Sequence, residues 1–447
     1  MVHAFSFNLG EKELYFLWDI ESGSLLRVDY EAFCCAKKRY ANISKESKKA
    51  SAPLSESEKI FLTLEKEGIL NAPQKISAFK KEYKYLKALC LHISNDCNMR
   101  CDYCFADNYV AKGADMSVET GKRAIDYLIA NSGSKKNLEV DFFGGEPLLN
   151  FGAVKEIITY AKEAGKLNDK EFLFTLTTNC LLLDNDAQDY LNKELDNVVL
   201  SLDGRESVNN ACRRSLGGKP VYDKIVKNIL EFIKKRGEKS YYVRGTITAK
   251  NPDFASDILH IADLGINQIS LEPVVLNNSH PLAVKEEHIA PMCLEYERLA
   301  REMLKRRKEG NGFNFFHFMI DLEHGPCLNK RLTGCGAGTE YLAVAPNGNL
   351  YPCHRFLDNE NFLLGNVFND FNFSSPKALA LKETFASLSV HSKPYCKNCP
   401  AKYYCGGGCV ANSLEFSGEL EGEYKVGCEL LKKRLEIALA LESLRNE

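Results

Sequence analysis

The chain has no excess of charge of either sign: 58 Lys and Arg stand against 60 Asp and Glu, a net of -2. That balance argues against a dedicated nucleic-acid or polyanion binder, which carries a basic surplus. Lys37-Lys38-Arg39 and Lys48-Lys49 form a basic cluster, and they read as a solvated linker face. Apolar runs stop short of the roughly 18 residues of a membrane span. No secretory leader is visible, because Met1-Val-His-Ala-Phe-Ser lacks a basic start and no long apolar run follows. Also missing is a fourth cysteine beside the tight group Cys97, Cys101 and Cys104. A zinc site would want a fourth local Cys or His, and His92 lies inside an apolar strand-like run.

What the chain has in quantity is cysteine, 17 in 447 residues. In a leaderless protein that number points to metal rather than disulfides, and to a reducing, anaerobic cytoplasm. The length predicts two or three domains. An apolar content of 45% is enough for sizeable cores.

Three regions separate by pattern. Residues 1–78 read strand, strand, strand, helix, helix. Ala4 to Leu9, Leu14 to Ile20 and Leu25 to Asp29 have strand composition, and Tyr30 to Arg39 and Ser55 to Gly68 have helical spacing. Either Ser55 or Ser57 can cap the second helix. From Tyr85 to Val275 strands and helices alternate, six βα units in all, and every polar motif falls at the carboxyl end of a strand. Barrel active sites sit on that face. Lys285 to Glu309 reads as a charged bridging helix, and the remainder, 311–447, as irregular and cysteine-rich.

The run Cys97-Asn-Met-Arg-Cys101-Asp-Tyr103-Cys104 has the spacing C-x3-C-x2-C. Three thiolates can hold a [4Fe–4S] cubane by three irons and leave the fourth open to a small molecule. This spacing resembles the radical S-adenosylmethionine (SAM) superfamily, with a partial (β/α)6 TIM barrel over 79–310. The resemblance implies that SAM chelates the open iron and is cleaved by one electron to a 5′-deoxyadenosyl radical. It also implies a SAM cradle made by Tyr103, Gly144-Gly145-Glu146, Thr177 and Asn179, Ser201 and Asp203. Paired glycines permit close backbone approach, and Glu146 places an acceptor where the methionine ammonium would lie. Arg244, in the fifth strand, is expected to be buried and to clamp a carboxylate, with a structural salt bridge as the alternative.

A second cysteine group is as ordered. Cys335 is followed by twelve residues, then Gly348-x4-Cys353, then Cys396-x2-Cys399-x5-Cys405-x3-Cys409, and after eighteen more Cys428. This is similar to the SPASM domain, which binds two auxiliary [4Fe–4S] clusters. The resemblance implies Cys335, Cys353 and Cys409, with Cys327 as fourth ligand or exchangeable site, for the first. For the second it implies Cys396, Cys399, Cys405 and Cys428, so three clusters in all. A zinc ribbon is the competing reading of the C-x2-C pair. Cys34, Cys35, Cys90, Cys180, Cys212 and Cys293 read as small buried hydrophobes.

Residues 1–78 resemble, by element order, the winged-helix elements that recognise precursor peptides. The whole chain then resembles the thioether-forming (sactionine) maturases of six-cysteine SCIFF peptides, a class of enzymes for ribosomally made, modified peptides (RiPPs). The expected activity is that of an oxidoreductase that joins cysteine sulfur to an α-carbon of a cysteine-rich precursor peptide with a leader. Its electrons would come from a flavodoxin- or ferredoxin-type reductant. No nucleic-acid or membrane partner is expected. An anaerobic sulfatase maturase, which makes formylglycine, is the rival. Those enzymes carry Asp where this chain has His354, and D-x2-R where it has Asn210-Ala-Cys-Arg213. A protein that merely carries clusters for electron transfer is the reading from another class, and it would need no SAM cradle.

Overall fold

The computed structural model of the protein describes residues 1–41, 55–74, 85–105, 113–323, 328–369 and 375–445. The chain divides into two compact units. One gathers Met1–Lys80, Lys285–Gly334 and Ser389–Glu447, and the other Lys81–Val284 and Cys335–Leu388.

In the first unit, β1 (Val2–Asn8), β2 (Glu13–Asp19) and β3 (Leu25–Val28) form an antiparallel sheet in that order. Leu17 from β2, Ala36 from the helix Tyr30–Ala41, and Phe61 from the helix Glu56–Lys66 share a buried core with Leu70. Ser55 caps the second helix in a reciprocal box with Glu58, which satisfies two backbone donors that the helix start leaves open. The charged helix expected at 285–309 runs Ile289–Lys308, preceded by a 3-10 turn. A long helix, Lys425–Ser443, lies within the stretch expected to be irregular. It packs beside β1, where Glu436 meets the His3 ring at 2.8 Å.

The second unit is built on six parallel strands: β4 (Ala88–Ser94), β6 (Asn137–Gly144), β7 (Glu171–Thr178), β8 (Asn197–Ser201), β10 (Ser240–Ile247) and β11 (Gln268–Pro273). Short β5 (Met99–Cys101) and β9 (Arg213–Ser215) pair with each other apart from that sheet. Helices fill each crossover. Tyr222–Arg236 shows why they dock: Ile225, Ile229 and Phe232 recur at helical spacing and are all buried. This is the expected partial barrel.

One feature was not expected. β12 (Tyr341–Val344) runs parallel beside β4, from Tyr341 opposite Ala88 to Val344 opposite Leu91. β13 (Asn349–Tyr351) and β14 (Gly365–Asn366) fold back from it, so the cysteine-rich segment extends the barrel sheet past β4. No helix among the described residues is long and apolar enough to cross a membrane.

Candidate active site and cluster-binding segments

The loop after β4 carries the first three cysteines. Its middle is stiffened by the β5–β9 ladder, which sets Cys101 opposite Arg213. The Cys97 thiol accepts from the Met99 backbone N–H at 3.4 Å and from Asn179 Nδ2 at 3.7 Å. Burial pushes the Cys101 thiol up to about 12, against the pull of the Arg213 charge, and Cys97 and Cys104 both act on it. Cys97 is raised for the same first cause. Among the described residues no three His, Cys, Asp or Glu converge on a point that would hold a single ion. A cubane offers each thiolate its own iron, so three spaced thiols fit a cluster.

The turn after β6 locks onto that loop. Gly145 N–H donates to Ser94 O at 2.8 Å and Glu146 N–H to Asp96 O at 2.9 Å. A Cβ on Gly145 would sit 2.1 Å from the Asp96 carbonyl, so no larger residue fits. Gly144 has φ +135, which side chains avoid. Glu146 is buried, and its carboxylate accepts from Leu148 N–H (3.0 Å), Thr178 Oγ1 (2.8 Å) and Asn179 N–H (2.7 Å). It therefore fastens the ends of β6 and β7 together. Asn179 passes the tie on through Asn98 Oδ1 at 2.7 Å.

A second network closes the site from β8. Tyr103 donates its phenol to Asp203 Oδ2 at 2.5 Å, and Arg213 Nη1 donates to the same phenol at 3.0 Å. Thr246 N–H donates to Asp203 Oδ1 at 3.0 Å, and Arg213 stands 3.9 Å from that oxygen. Asp203 is raised by burial, with Arg213 opposing. Arg213 was not among the expected site residues, although it closes the Asn210-Ala-Cys-Arg213 run. Its Nε is buried with no hydrogen-bond partner, which leaves one donor for an anion. Behind Asp203 a cavity of about 410 Å³ opens, lined by Ser207, Cys212, Thr246 and Lys250 among others.

Thr177 and Ser201 are half-buried on β7 and β8, and Ser201 lies opposite Arg244 in the sheet. The expectation that Arg244 is buried is corrected: it is exposed. The strand alternates faces, so Val243, Gly245 and Ile247 take the buried face and Arg244 the other. It lies near His354, as do Arg355 and His92, and burial first, then these charges, lower that imidazole to about 4. The His354 ring lies tilted against Phe143 and Phe105, with centroids 5.0 and 5.5 Å away, and Nδ1 is 3.4 Å from the Tyr341 phenol. Phe105, Phe143 and Tyr341 carry no spacing signal that would have singled them out.

Of the second cysteine group, Cys335 (exposed) and Cys353 (buried) belong to the barrel unit and Cys409 (exposed) to the other. Cys327 lies outside the described residues. Cys396, Cys399, Cys405 and Cys428 share one unit and lie close enough to act on one another electrostatically. Burial raises Cys428 to about 12 and Cys396 to about 11. Four mutually close thiols fit a cubane. Of the six cysteines expected to be buried, Cys90, Cys180 and Cys212 are, while Cys34, Cys35 and Cys293 are half-buried.

A family model described as the radical SAM superfamily matches residues 91–270, and one described as an iron-sulfur cluster-binding domain, SPASM, matches 335–400. An uncharacterised protein of Methanocaldococcus jannaschii is 31% identical over 222 residues, which are 49% of this chain and 71% of that one. The radical SAM cyclopropyl synthase TigE of Paramaledivibacter caminithermalis is 23% identical over 363 residues, 78% and 72% of the two chains. The antilisterial bacteriocin subtilosin biosynthesis protein AlbA of Bacillus subtilis is 24% identical over 333 residues, 72% and 66%. Among solved structures, anSMEcpe with bound AdoMet and Kp18Cys peptide matches with TM-score 0.65 and 20% identity, over 81% of this chain and 99% of that one. Streptococcus suis SuiB bound to precursor peptide SuiA matches with TM-score 0.56 and 18% identity, over 91% and 94%. At these identities the structural likeness is one of fold.

Proposed function

The chain belongs to the radical SAM superfamily and carries a SPASM domain, and from that premise we propose that it matures a ribosomally made, cysteine-rich peptide by forming thioether bonds from cysteine sulfur to α-carbon. The observation that carries the reading is the contact of the Phe105 ring with His354, tilted at 43° with centroids 5.5 Å apart. Phe105 follows Cys104, and His354 follows Cys353, so the SAM loop and a SPASM cysteine turn border one lumen. A peptide residue held there can lose a hydrogen atom on one side and an electron on the other.

When bound, the cluster and SAM supply a 5′-deoxyadenosyl radical. The chain does the rest by position. Cys97, Cys101 and Cys104 would hold the cluster. Gly144 and Gly145 let the loops close, and Glu146 orients Thr178 and Asn179. Tyr103, Thr177, Ser201 and Asp203 would line SAM, and Arg213, with its free Nε, would take its carboxylate. Arg244 then faces the lumen, where the peptide would lie. The thioether product is two electrons more oxidised than the peptide. One of those electrons leaves with the hydrogen atom that the radical takes; the SPASM cysteines would hold two further clusters, which would supply an acceptor for the other. The relative AlbA, named for bacteriocin biosynthesis, supports a role on a peptide, and TigE, named a radical SAM cyclopropyl synthase, supports a bond-forming one.

Formylglycine formation shares the same hydrogen abstraction and is the second reading, favoured by a relative named as a cysteine-type anaerobic sulfatase-maturating enzyme, of Clostridium novyi, 24% identical over 350 residues. Against it, His354 stands where the sulfatase maturases carry Asp. The deciding test is incubation of reconstituted enzyme, SAM and dithionite with the product of a short cysteine-rich reading frame beside the gene. A thioether removes two hydrogens and one alkylatable thiol while keeping the sulfur. Formylglycine loses the sulfur and yields a carbonyl. No 5′-deoxyadenosine above background would end both readings.

A further inference from the structure

The segment between Cys399 and Cys405 is held by a residue from the far end of the chain. Lys402 Nζ donates to Glu21 Oε1 at 2.6 Å, and the Tyr403 phenol donates to Oε2 at 2.9 Å. The two charged side chains are only 5% and 7% exposed. One residue on, the Tyr404 ring lies 6.1 Å from Trp18 of β2. Glu21 is itself fixed, since its N–H and that of Ser22 donate to the buried Asp19 at 3.1 and 2.8 Å. Ser22 Oγ donates onward to Ile69 O at 2.8 Å.

On the cysteine side the coupling is through backbone. Lys402 N–H donates to Cys399 O, Gly406 N–H to Lys402 O, and Cys405 N–H to Ala401 O. Moving Lys402 therefore moves two thiols. A buried ion pair of this kind adds little net stability, but removing one partner strands the other charge in a poor solvent. The stranded charge would belong to a residue three positions from both Cys399 and Cys405.

We propose that Glu21 is a positioning residue for the second auxiliary cluster: it places the Cys399–Cys405 segment and cancels the Lys402 charge beside it. This rests on the reading that Cys396, Cys399, Cys405 and Cys428 hold that cluster. Net charge near the sulfurs sets a cluster's potential. The reduced cluster is the more negative, so an uncancelled Lys402 favours it and raises the midpoint.

The test uses full-length, anaerobically reconstituted protein and redox titration followed by electron paramagnetic resonance. Glu21→Gln is expected to raise the midpoint of one auxiliary signal and leave 5′-deoxyadenosine release unchanged. Glu21→Gln with Lys402→Met removes both charges and is expected to return the midpoint toward the wild type. An unmoved midpoint in the single variant, or a double variant no nearer wild type, overturns the proposal. If Glu21→Gln does not accumulate as folded protein, Lys402→Met alone leaves Glu21 uncancelled and must lower the midpoint. A rise or no change there overturns it equally. Cys405→Ala separates the two failures: if it loses no iron, the cluster assignment is wrong, whereas lost iron with unmoved midpoints defeats only the role of Glu21.

Discussion

Cys101 and Arg213 face each other across the two-strand ladder of β5 and β9, 112 positions apart in sequence but fixed in register. The ladder gives the guanidinium two neighbours of opposite demand. It restrains the rise of the Cys101 thiol and stands within ion-pair distance of Asp203. A thiolate, a carboxylate and the carboxylate of SAM would all draw on this one buried cation.

Replacing Arg213 by Gln should therefore be severe. Removing one partner of a buried charge pair costs about 3–5 kcal/mol, here from Asp203, and loss of one fixed donor costs about 100-fold or more in rate. We expect 5′-deoxyadenosine release to fall by at least that factor, with SAM affinity weakened in calorimetry. Arg213→Lys should rescue little, because a point charge cannot serve the phenol, the carboxylate and an anion at once. Wild-type cleavage in either variant would refute this role.

Glu146→Gln keeps shape but turns one acceptor oxygen into a donor. Three donors now converge on that side chain, so at least one must go unpaired, at about 1–3 kcal/mol. The expected outcome is a lower melting temperature and SAM binding about tenfold weaker, by that same free energy. Unchanged melting and binding would show that the tie between β6 and β7 does not matter.

The raised thiols make a pH prediction for the cluster-free protein. Burial makes Cys101, Cys396 and Cys428 hold their protons more tightly in the folded protein than an ordinary cysteine does. The stability they contribute is fully present below the unfolded value and is lost as pH rises through the folded ones, from about 9 to about 12. Melting temperature of apo-protein should thus fall between pH 8 and pH 10. Loading with iron and sulfide should flatten that slope, because the ligands are then already thiolates.

Iron content separates the sites. Cys97, Cys101 and Cys104 changed together to Ala should remove about four irons per chain and abolish SAM cleavage. Cys405→Ala should remove about as many and leave the cleavage in place. Iron analysis with paired 5′-deoxyadenosine assays reads both, and retention of all iron in the triple variant would refute the open-iron loop.

The barrel was legible because most of its strands are short runs closed within two residues by Gly, Asn or Asp, and several of its helices carry their own caps, as Ser117 and Asp184 do. The three-cysteine loop and the turn at Gly144 were legible because their chemistry needs fixed residue types. Arg244 misled for a simple reason: strand membership does not say which face a side chain takes. Lys425–Ser443 escaped notice because apolar residues occur almost all round it, Leu430, Ile437, Leu439 and Leu441 among them, and weaken the helical period. The bonds from Glu21 to Lys402 and Tyr403, and the rings around His354, depend on pairing distant segments. No local pattern encodes such pairing.

The parallel pairing of β12 with β4 has a consequence for how the protein comes apart. A boundary near residue 311, natural as it looks by composition, is not a seam, for the strand that leads to Cys353 shares a hydrogen-bond ladder with the strand that leads to Cys97. Such a ladder cannot open on one side alone. Amide protons of Leu342 and Val344 should exchange with solvent in step with those of Leu89 and Leu91, in one cooperative event rather than two. A protease that nicks the chain between the two regions would leave them clasped.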